Sequence, residues 1–252
     1  MAVPEAPSML YEHPPITEAV IGINFSSPIK QATLSSVNKK FQRRYPHHQT
    51  VSNLNIAIVE LGDKQINKST ADVNQENGHR LSTEDMTELL LLWPSSFSIS
   101  QLSPYHGWDH FFDRFVKDWG VWKKLVGFQT INRIGVRYIN RIDIPITGPI
   151  VEYEKFLNVY PKLPGMLNPT EAYAIQTSSH LKDIDSRLIL NSAVVPSPIL
   201  DHASFLIDLD ISKESNLPQN DNDIFDLLKK IRVKKNAIFE ICITRRAREL
   251  FQ

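Results

Sequence analysis

The sequence predicts an α+β fold: two pseudo-duplicated β-α-β-β-β-α units, with antiparallel sheets each packed on a long helix. Three observations lead there. Segments with alternating or continuous apolar character, read as strands, are interspersed with segments whose apolar residues recur every three or four positions, read as helices. The order strand, helix, three strands, long helix in the first half recurs from Asn132 onward. A Tyr-Pro pair, Tyr45-Pro46 or Tyr160-Pro161, stops the first helix of each half. The halves, about 11–127 and 132–252, do not match residue by residue and have no linker between them. Residues 1–252 therefore read as one compact domain.

Each element follows from local pattern. Pro14-Pro15 fixes an extended approach to the strand Ala19–Phe25. Leu34, Val37 and Phe41 space a helix through the polar segment Lys30–Arg44. Leu54–Leu61 reads as a strand, and Asp63–Gly78, polar and patternless, as a mobile loop. Glu88–Trp93 and Phe97–Leu102 are strands joined by a turn at Pro94-Ser95-Ser96. Trp108–Leu125 is an aromatic-rich helix, with Trp108, Phe111 or Phe112, Phe115, Trp119 and Trp122 at helical spacing. In the second half, Asn132–Pro145 alternates as a long strand and Glu152–Val159 reads as a short helix. Glu171–Ser178, Arg187–Val195 and Ser204–Ile211 follow as strands. Asp221 to about Arg245 is the last helix, with the stripe Ile224, Leu227, Leu228, Ile231, Ile238, Ile241 and Cys242. Its N-terminal aspartates and C-terminal arginines suit the helix dipole.

Composition excludes more than it assigns. The 252 residues hold 42% hydrophobic side chains, enough for a core without disulfides or metal. A single cysteine excludes a disulfide framework and a Cys-built zinc site. The 9 glycines are scattered, so no glycine-rich phosphate cradle exists. The N-terminus lacks a basic and apolar leader, and the longest apolar run, Leu89–Trp93, is far short of a membrane span. A cytoplasmic protein with no membrane contact and no cofactor is expected. Basic residues (28) balance acidic ones (28), which argues against a uniformly basic nucleic-acid binder. The balance hides opposed blocks: residues 30–48 hold five basic and no acidic side chains. Residues 201–226 hold seven acidic and one basic, and 229–248 eight basic and one acidic. The sign change near residue 227 marks a candidate partner or self-association surface.

Three stretches carry a family resemblance: Tyr11-Glu12-His13-Pro14-Pro15-Ile16-Thr17-Glu18-Ala19-Val20; Arg133-Ile134-Gly135-Val136-Arg137-Tyr138-Ile139-Asn140-Arg141-Ile142-Asp143-Ile144-Pro145; and Phe239-Glu240-Ile241-Cys242-Ile243-Thr244 with the closing Glu249-Leu250-Phe251. Together they resemble a sporadically distributed prokaryotic family of similar length, with a Pro-Pro-Ile-x-Glu-Ala-Val start and an Arg-Tyr-Ile-Asn-Arg-Ile centre. The resemblance spans the whole chain. It implies no catalytic residues, and a patchy occurrence suggests mobile genes and defence or toxin–antitoxin work. Arg245 stands where that family's acidic residue follows Ile-Thr. The repeated units also resemble TATA-binding-protein-like and helix-grip halves, an analogy of fold alone.

Candidate sites come from the central strand and the charged blocks. Side chains alternate along a strand. Arg133, Gly135, Arg137, Ile139, Arg141 and Asp143 therefore share one face, and Ile134, Val136, Tyr138, Asn140, Ile142 and Ile144 the other. Arg133, Arg137 and Arg141 form a basic stripe suited to an anionic ligand, with Gly135 permitting close approach. Asn140 would join them only across a bulge. The plain alternative pairs these arginines with Asp208 and Asp210 on the neighbouring outward face. Those aspartates alone give a weak divalent-cation site. His106 and His110 recur at i, i+4 without the Glu of a metalloprotease helix and read as exposed, as do His47-His48. Cys242 and the aromatic stripe read as core, the alternative being that some of the rings line a pocket between helix and sheet or a partner interface. Lys39, Lys40, Arg43, Arg44, Arg245, Arg246 and Arg248 make a candidate partner surface.

No catalytic constellation is recognisable. The expected function is a non-enzymatic binding or interaction protein, an accessory, sensor or neutralising component of a prokaryotic defence-type system, with a protein partner or a second copy of itself. The alternatives are a small anionic ligand or nucleotide sensor with its site between the halves, and a nucleic-acid-binding protein or nuclease.

Overall fold

The computed structural model describes residues 11–56, 73–148, 151–167 and 171–252. Nine antiparallel strands form a single sheet: β1 (Ile16–Phe25), β2 (His47–Ile56), β3 (Val73–Ser82), β4 (Glu88–Trp93), β5 (Ser96–Leu102), β6 (Ile131–Pro145), β7 (Ala174–Leu181), β8 (Ser186–Val195) and β9 (His202–Lys213). Their order is β2-β3-β4-β5-β1-β6-β9-β8-β7. The helices are α1 (Gln31–Phe41), α2 (Trp108–Val126), α3 (Asp221–Cys242) and α4 (Arg245–Arg248). None of the described helices is long and apolar enough to cross a membrane.

The fold class is α+β, but the sheet is one rather than the expected two. Strands β1 and β6 pair directly, Ile21 opposite Val136 and Ile23 opposite Ile134, so the halves share one hydrogen-bonded ladder. Both strands bury alternate side chains, and the buried set faces α1, α2 and α3 in a common hydrophobic cluster. Phe25 stacks on Trp122 at 5.7 Å between ring centres, and Phe97 meets Trp119 at the same separation. The aromatic stripe of α2 is therefore core, as its spacing predicts, with Phe111, Phe115 and Trp122 fully buried. Helices α2 and α3 touch through Phe112 and Phe225, and Asp221 accepts hydrogen bonds from Trp119 Nε1 and Lys123 Nζ.

Several boundaries differ from the sequence reading, each for a tertiary reason. Segment 73–78, read as loop, belongs to β3, because pairing with β2 satisfies a backbone whose side chains carry no apolar alternation. The remainder of that loop, 63–72, lies outside the described residues, as do 57–61 of the strand read as Leu54–Leu61; its start falls in β2, which begins at His47. Helix α1 ends at Phe41, where Arg44 and Tyr45 amides both donate to the Phe41 carbonyl and turn the chain. The helix read at 152–159 is a 3-10 turn over Tyr153–Lys155, after which Leu157 bridges to Ile243. Tyr160-Pro161 thus ends no helix. The strand read at 171–178 is β7, shifted to Ala174–Leu181 by its pairing with β8. Helix α3 stops at Cys242 rather than near Arg245, because Ile243 is extended to meet Leu157 and Thr244 caps α4. Ile241 is consequently exposed, off the buried stripe.

Candidate functional site

The expected arginine stripe exists, but its charge is already neutralised. Arg133 Nη2 donates to both Asp210 oxygens at 3.0 and 2.9 Å. Arg137 grips Asp208 through two bonds of 2.9 and 2.8 Å, and Arg141 Nε reaches Asp143 at 3.1 Å. Asp208 is buried and also accepts from Asn191 Nδ2. A Cβ on Gly135 would lie 2.7 Å from the Arg133 guanidinium, so this glycine makes room for Arg133 itself rather than for a ligand. Burial raises the Asp210 carboxyl despite its arginine neighbours.

Asn140 does not join the arginines. The β6–β9 register runs without a shift from Ile134 to Pro145, so alternation puts Asn140 on the helix side, where it is 2% exposed. Its Nδ2 donates to the Ile207 carbonyl at 2.9 Å. The second candidate surface divides. Arg44 pairs with Asp118, Arg248 with Glu240, and Arg245 with Glu249, while Arg246 lies over the Phe156 ring. Lys39, Lys40 and Arg43 remain exposed at the end of α1. Among the described residues, no cluster of three or more His, Cys, Asp or Glu could hold a metal. His106 and His110 are exposed, with His110 3.5 Å from Glu88; Cys242 is buried, its thiol pushed up to about 12 by burial. His47 and His48 are exposed, as read, but lie in β2 rather than in a loop, and His48 Nε2 is 2.9 Å from His79 Nδ1.

The site that the sequence did not single out is a cavity of about 280 Å³ beneath the N-terminal segment. Tyr138 and Asn140 of β6 form its wall, Tyr105 and Trp108 flank it at the start of α2, and α3 contributes Arg232 and Lys235. Residues 11–16 roof it. The roof is tied down at several points. The Arg141 amide donates to the Pro15 carbonyl, and the His13 amide to the Phe251 carbonyl. Tyr11 packs edge-on against the Phe251 ring and donates to Glu240 at 2.6 Å. Glu240 also accepts from Arg248 Nε at 2.7 Å. The three stretches that carry the family resemblance thus meet around one hollow. Compared with known proteins, the chain matches no family model and no curated protein.

Lys235 is the chemical centre of this cavity. It is only 7% exposed, and its Nζ lies 3.8 Å from the centre of the Tyr138 ring. Among the described residues it donates no hydrogen bond; of the two carboxylates in the lining, Glu12 is exposed and Glu240 accepts from Tyr11 and Arg248. Burial and then the charge of Arg232 lower its amine from 10.5 to about 7, against an opposing pull from Glu240. The hydroxyls of Tyr105 and Tyr138 are 2.8 Å apart, and burial keeps both protonated far above neutrality. One signal could have found this residue. Buried positions of α3 run Ile224, Leu227, Leu228, Ile231, Lys235, Ile238, Phe239, Glu240 and Cys242, and Lys235 occupies a place where the helical period calls for an apolar side chain.

Two outcomes follow. Arg137→Ala should lower stability by roughly 2 kcal/mol in urea denaturation, because it strands the buried Asp208. The loss falls short of the 3–5 kcal/mol of fully buried pairs since Arg137 is 47% exposed. The Lys235 effect depends on pH. The groups facing its amine are Arg232, Glu240, Glu12 and the tyrosines Tyr11, Tyr105 and Tyr138. Below its folded value of about 7, folded and unfolded chains both carry the proton, and folding bears the whole cost of the buried charge. From about 7 to 10.5 the unfolded chain binds more protons, so stability rises with pH. Lys235→Met should be more stable than wild type near pH 6 and should lack that share of the rise; parallel denaturation curves for the two proteins near pH 6 and 9 check this.

Proposed function

We propose that the protein is a small-ligand sensor that binds a compact anionic molecule in the cavity under residues 11–16. The observation that carries the reading is the buried Lys235 amine, which donates to no carboxylate among the described residues, in a hollow lined by five aromatic side chains, Tyr11, Tyr105, Trp108, Tyr138 and Phe239. An unpaired buried amine is costly, and an anionic ligand would offset that cost. The volume lies at the small end of ligand pockets, roughly 300–1,000 Å³, which suits a compact ligand. Arg232, packed over Trp108, supplies a guanidinium cation, and Asn236 supplies an amide group that can fix orientation, the Asn140 amide being engaged by backbone carbonyls. The reading moves the anionic site from the arginine stripe to the opposite face of the same strand.

The cavity takes residues from both halves. We infer that these halves are pseudo-repeats, each a strand, a meander and a long helix, with four meander strands (β2 to β5) in the first half and three (β7 to β9) in the second; the central pairing of β1 with β6 and the mirrored flanks β5-β4-β3 and β9-β8-β7 support it. The family resemblance supports placing such a sensor in a prokaryotic defence-type system, where it would act by recognition rather than turnover. A second reading has an acidic protein partner dock on Lys39, Lys40 and Arg43. It is favoured by their exposure without a carboxylate partner among the described residues, beside a surface cleft that also includes Lys117.

A thermal-shift series with benzoate, nicotinate and nucleoside monophosphates tests the first reading. At about 100 times Kd, a ligand stabilises by about 2.7 kcal/mol, roughly 5–10 °C for a chain of this size. Arg232→Gln should shrink the shift. A flat response to every anion would remove the reading. For the second, Lys39→Glu combined with Lys40→Glu and Arg43→Glu should abolish co-elution with the partner from native extracts while leaving the melting temperature unchanged. Retained co-elution would exclude this surface.

A further inference from the structure

We propose that Lys235 captures a small aldehyde or ketone bearing a carboxylate, holding it in the cavity as an imine. The inference rests on the ligand-pocket reading and adds the chemical class of the ligand. Its basis is the placement of four groups. The Lys235 amine opens on the cavity, is buried, and donates no hydrogen bond among the described residues. A lysine engaged in structure would sit on a carboxylate, yet the cavity's Glu240 is held by Tyr11 and Arg248. Arg232 lies one turn before Lys235 on the same helix and lines the same hollow. Desolvation and a neighbouring cation are the two devices that leave a lysine amine unprotonated and nucleophilic near neutrality. Both act here.

The paired hydroxyls of Tyr105 and Tyr138 complete the set. In the capture step the Lys235 lone pair attacks the carbonyl carbon and the C=O π pair moves to oxygen. That oxygen takes a proton through the tyrosine pair, and the nitrogen loses one, giving a carbinolamine. Its C–O bond then breaks, water leaves, and a protonated C=N bond remains. No oxidant or reductant is needed. Arg232 would hold the carboxylate by its two-pronged guanidinium, which selects oxo acids over plain aldehydes.

The test uses the full chain with glyoxylate and sodium cyanoborohydride near pH 7, followed by peptide mass spectrometry. Hydride delivery to the imine carbon leaves a carboxymethyl group on the captured lysine. Labelling at Lys235 should exceed that at every other lysine by at least about tenfold, because an ordinary lysine near 10.4 is almost wholly protonated at that pH. Arg232→Gln should erase the preference for glyoxylate over acetaldehyde and also lower labelling of Lys235 by acetaldehyde, because it removes the cation that helps keep the amine unprotonated. Lys235→Met should remove the dominant adduct. Label spread over the exposed lysines with none at Lys235 would overturn the proposal, and so would equal labelling by the two aldehydes in wild type. A melting-temperature rise with glyoxylate but no trapped adduct would keep the pocket and remove the capture; neither a rise nor an adduct would remove both.

Discussion

Antiparallel pairing of β1 with β6 is the constraint on which the rest of the molecule depends. Nine backbone positions of β1 find partners on β6. This ladder turns two meanders into one sheet and brings all three larger helices to one side of it. It also fixes the N-terminal segment. Once Ile16 lies opposite Asn140, Pro14 and Pro15 must cross the end of β6, and the Pro15 carbonyl receives the Arg141 amide. Proline has no amide to donate, so the segment extends the ladder by one acceptor and then leaves it. The cavity is the space under that departure. Its roof, wall and helical side come from parts of the chain far apart in sequence, and a single strand pairing brings them together.

Because side-chain direction alternates, β6 serves two environments at once. On one face Arg133 and Arg137 neutralise Asp210 and Asp208, a cross-strand arrangement that shields charges too buried to stand alone. On the other, Tyr138 and Asn140 border the cavity. The motif that draws the eye for its arginines therefore borders the cavity on the side the arginines do not occupy. A one-residue slip in register would exchange the two sets, burying guanidinium groups among the helices and turning the tyrosine to solvent. The paired arginines and aspartates penalise that slip, so the charged face of the ladder protects the geometry of the cavity on the other face.

Legibility followed the strength of local pattern. The α+β class, the strand Glu88–Trp93, the aromatic helix and the central strand were all readable, because burial on one face imprints a period of two or 3.6. Strand β3 was not: His79 and Leu81 are buried, but the residues before them are polar, and pairing with β2 rather than apolar periodicity makes the segment a strand. The end of α3 was missed because Ile243 satisfies a backbone bridge to Leu157, a contact across 86 positions that no helical pattern reports. The single sheet was missed for the same reason. Element order defines the strands within each half, whereas the seam between halves is a tertiary choice. Lys235 was legible in principle, as a lysine in an apolar stripe, but its neighbours drew the reading toward a charge block and away from the position it occupies.

The same distinction changes what zero net charge means. In a sequence, the arginines of the central strand and the lysines of the last helix count alike as basic. In the fold they separate by what already holds them. Arg44, Arg133, Arg137, Arg141 and Arg248 are each bound to a carboxylate, so their positive charge is spent within the molecule and offers a ligand little. Arg232 and Lys235 rest instead on aromatic faces, Trp108 and Tyr138, which attract a cation without cancelling its charge. An aromatic support leaves Arg232 its charge, and burial around it lowers the local dielectric, so the potential of this guanidinium reaches further into the cavity than that of the more numerous surface lysines. The charge that the cavity keeps is thus decided by the few side chains that the fold sets on rings rather than on carboxylates.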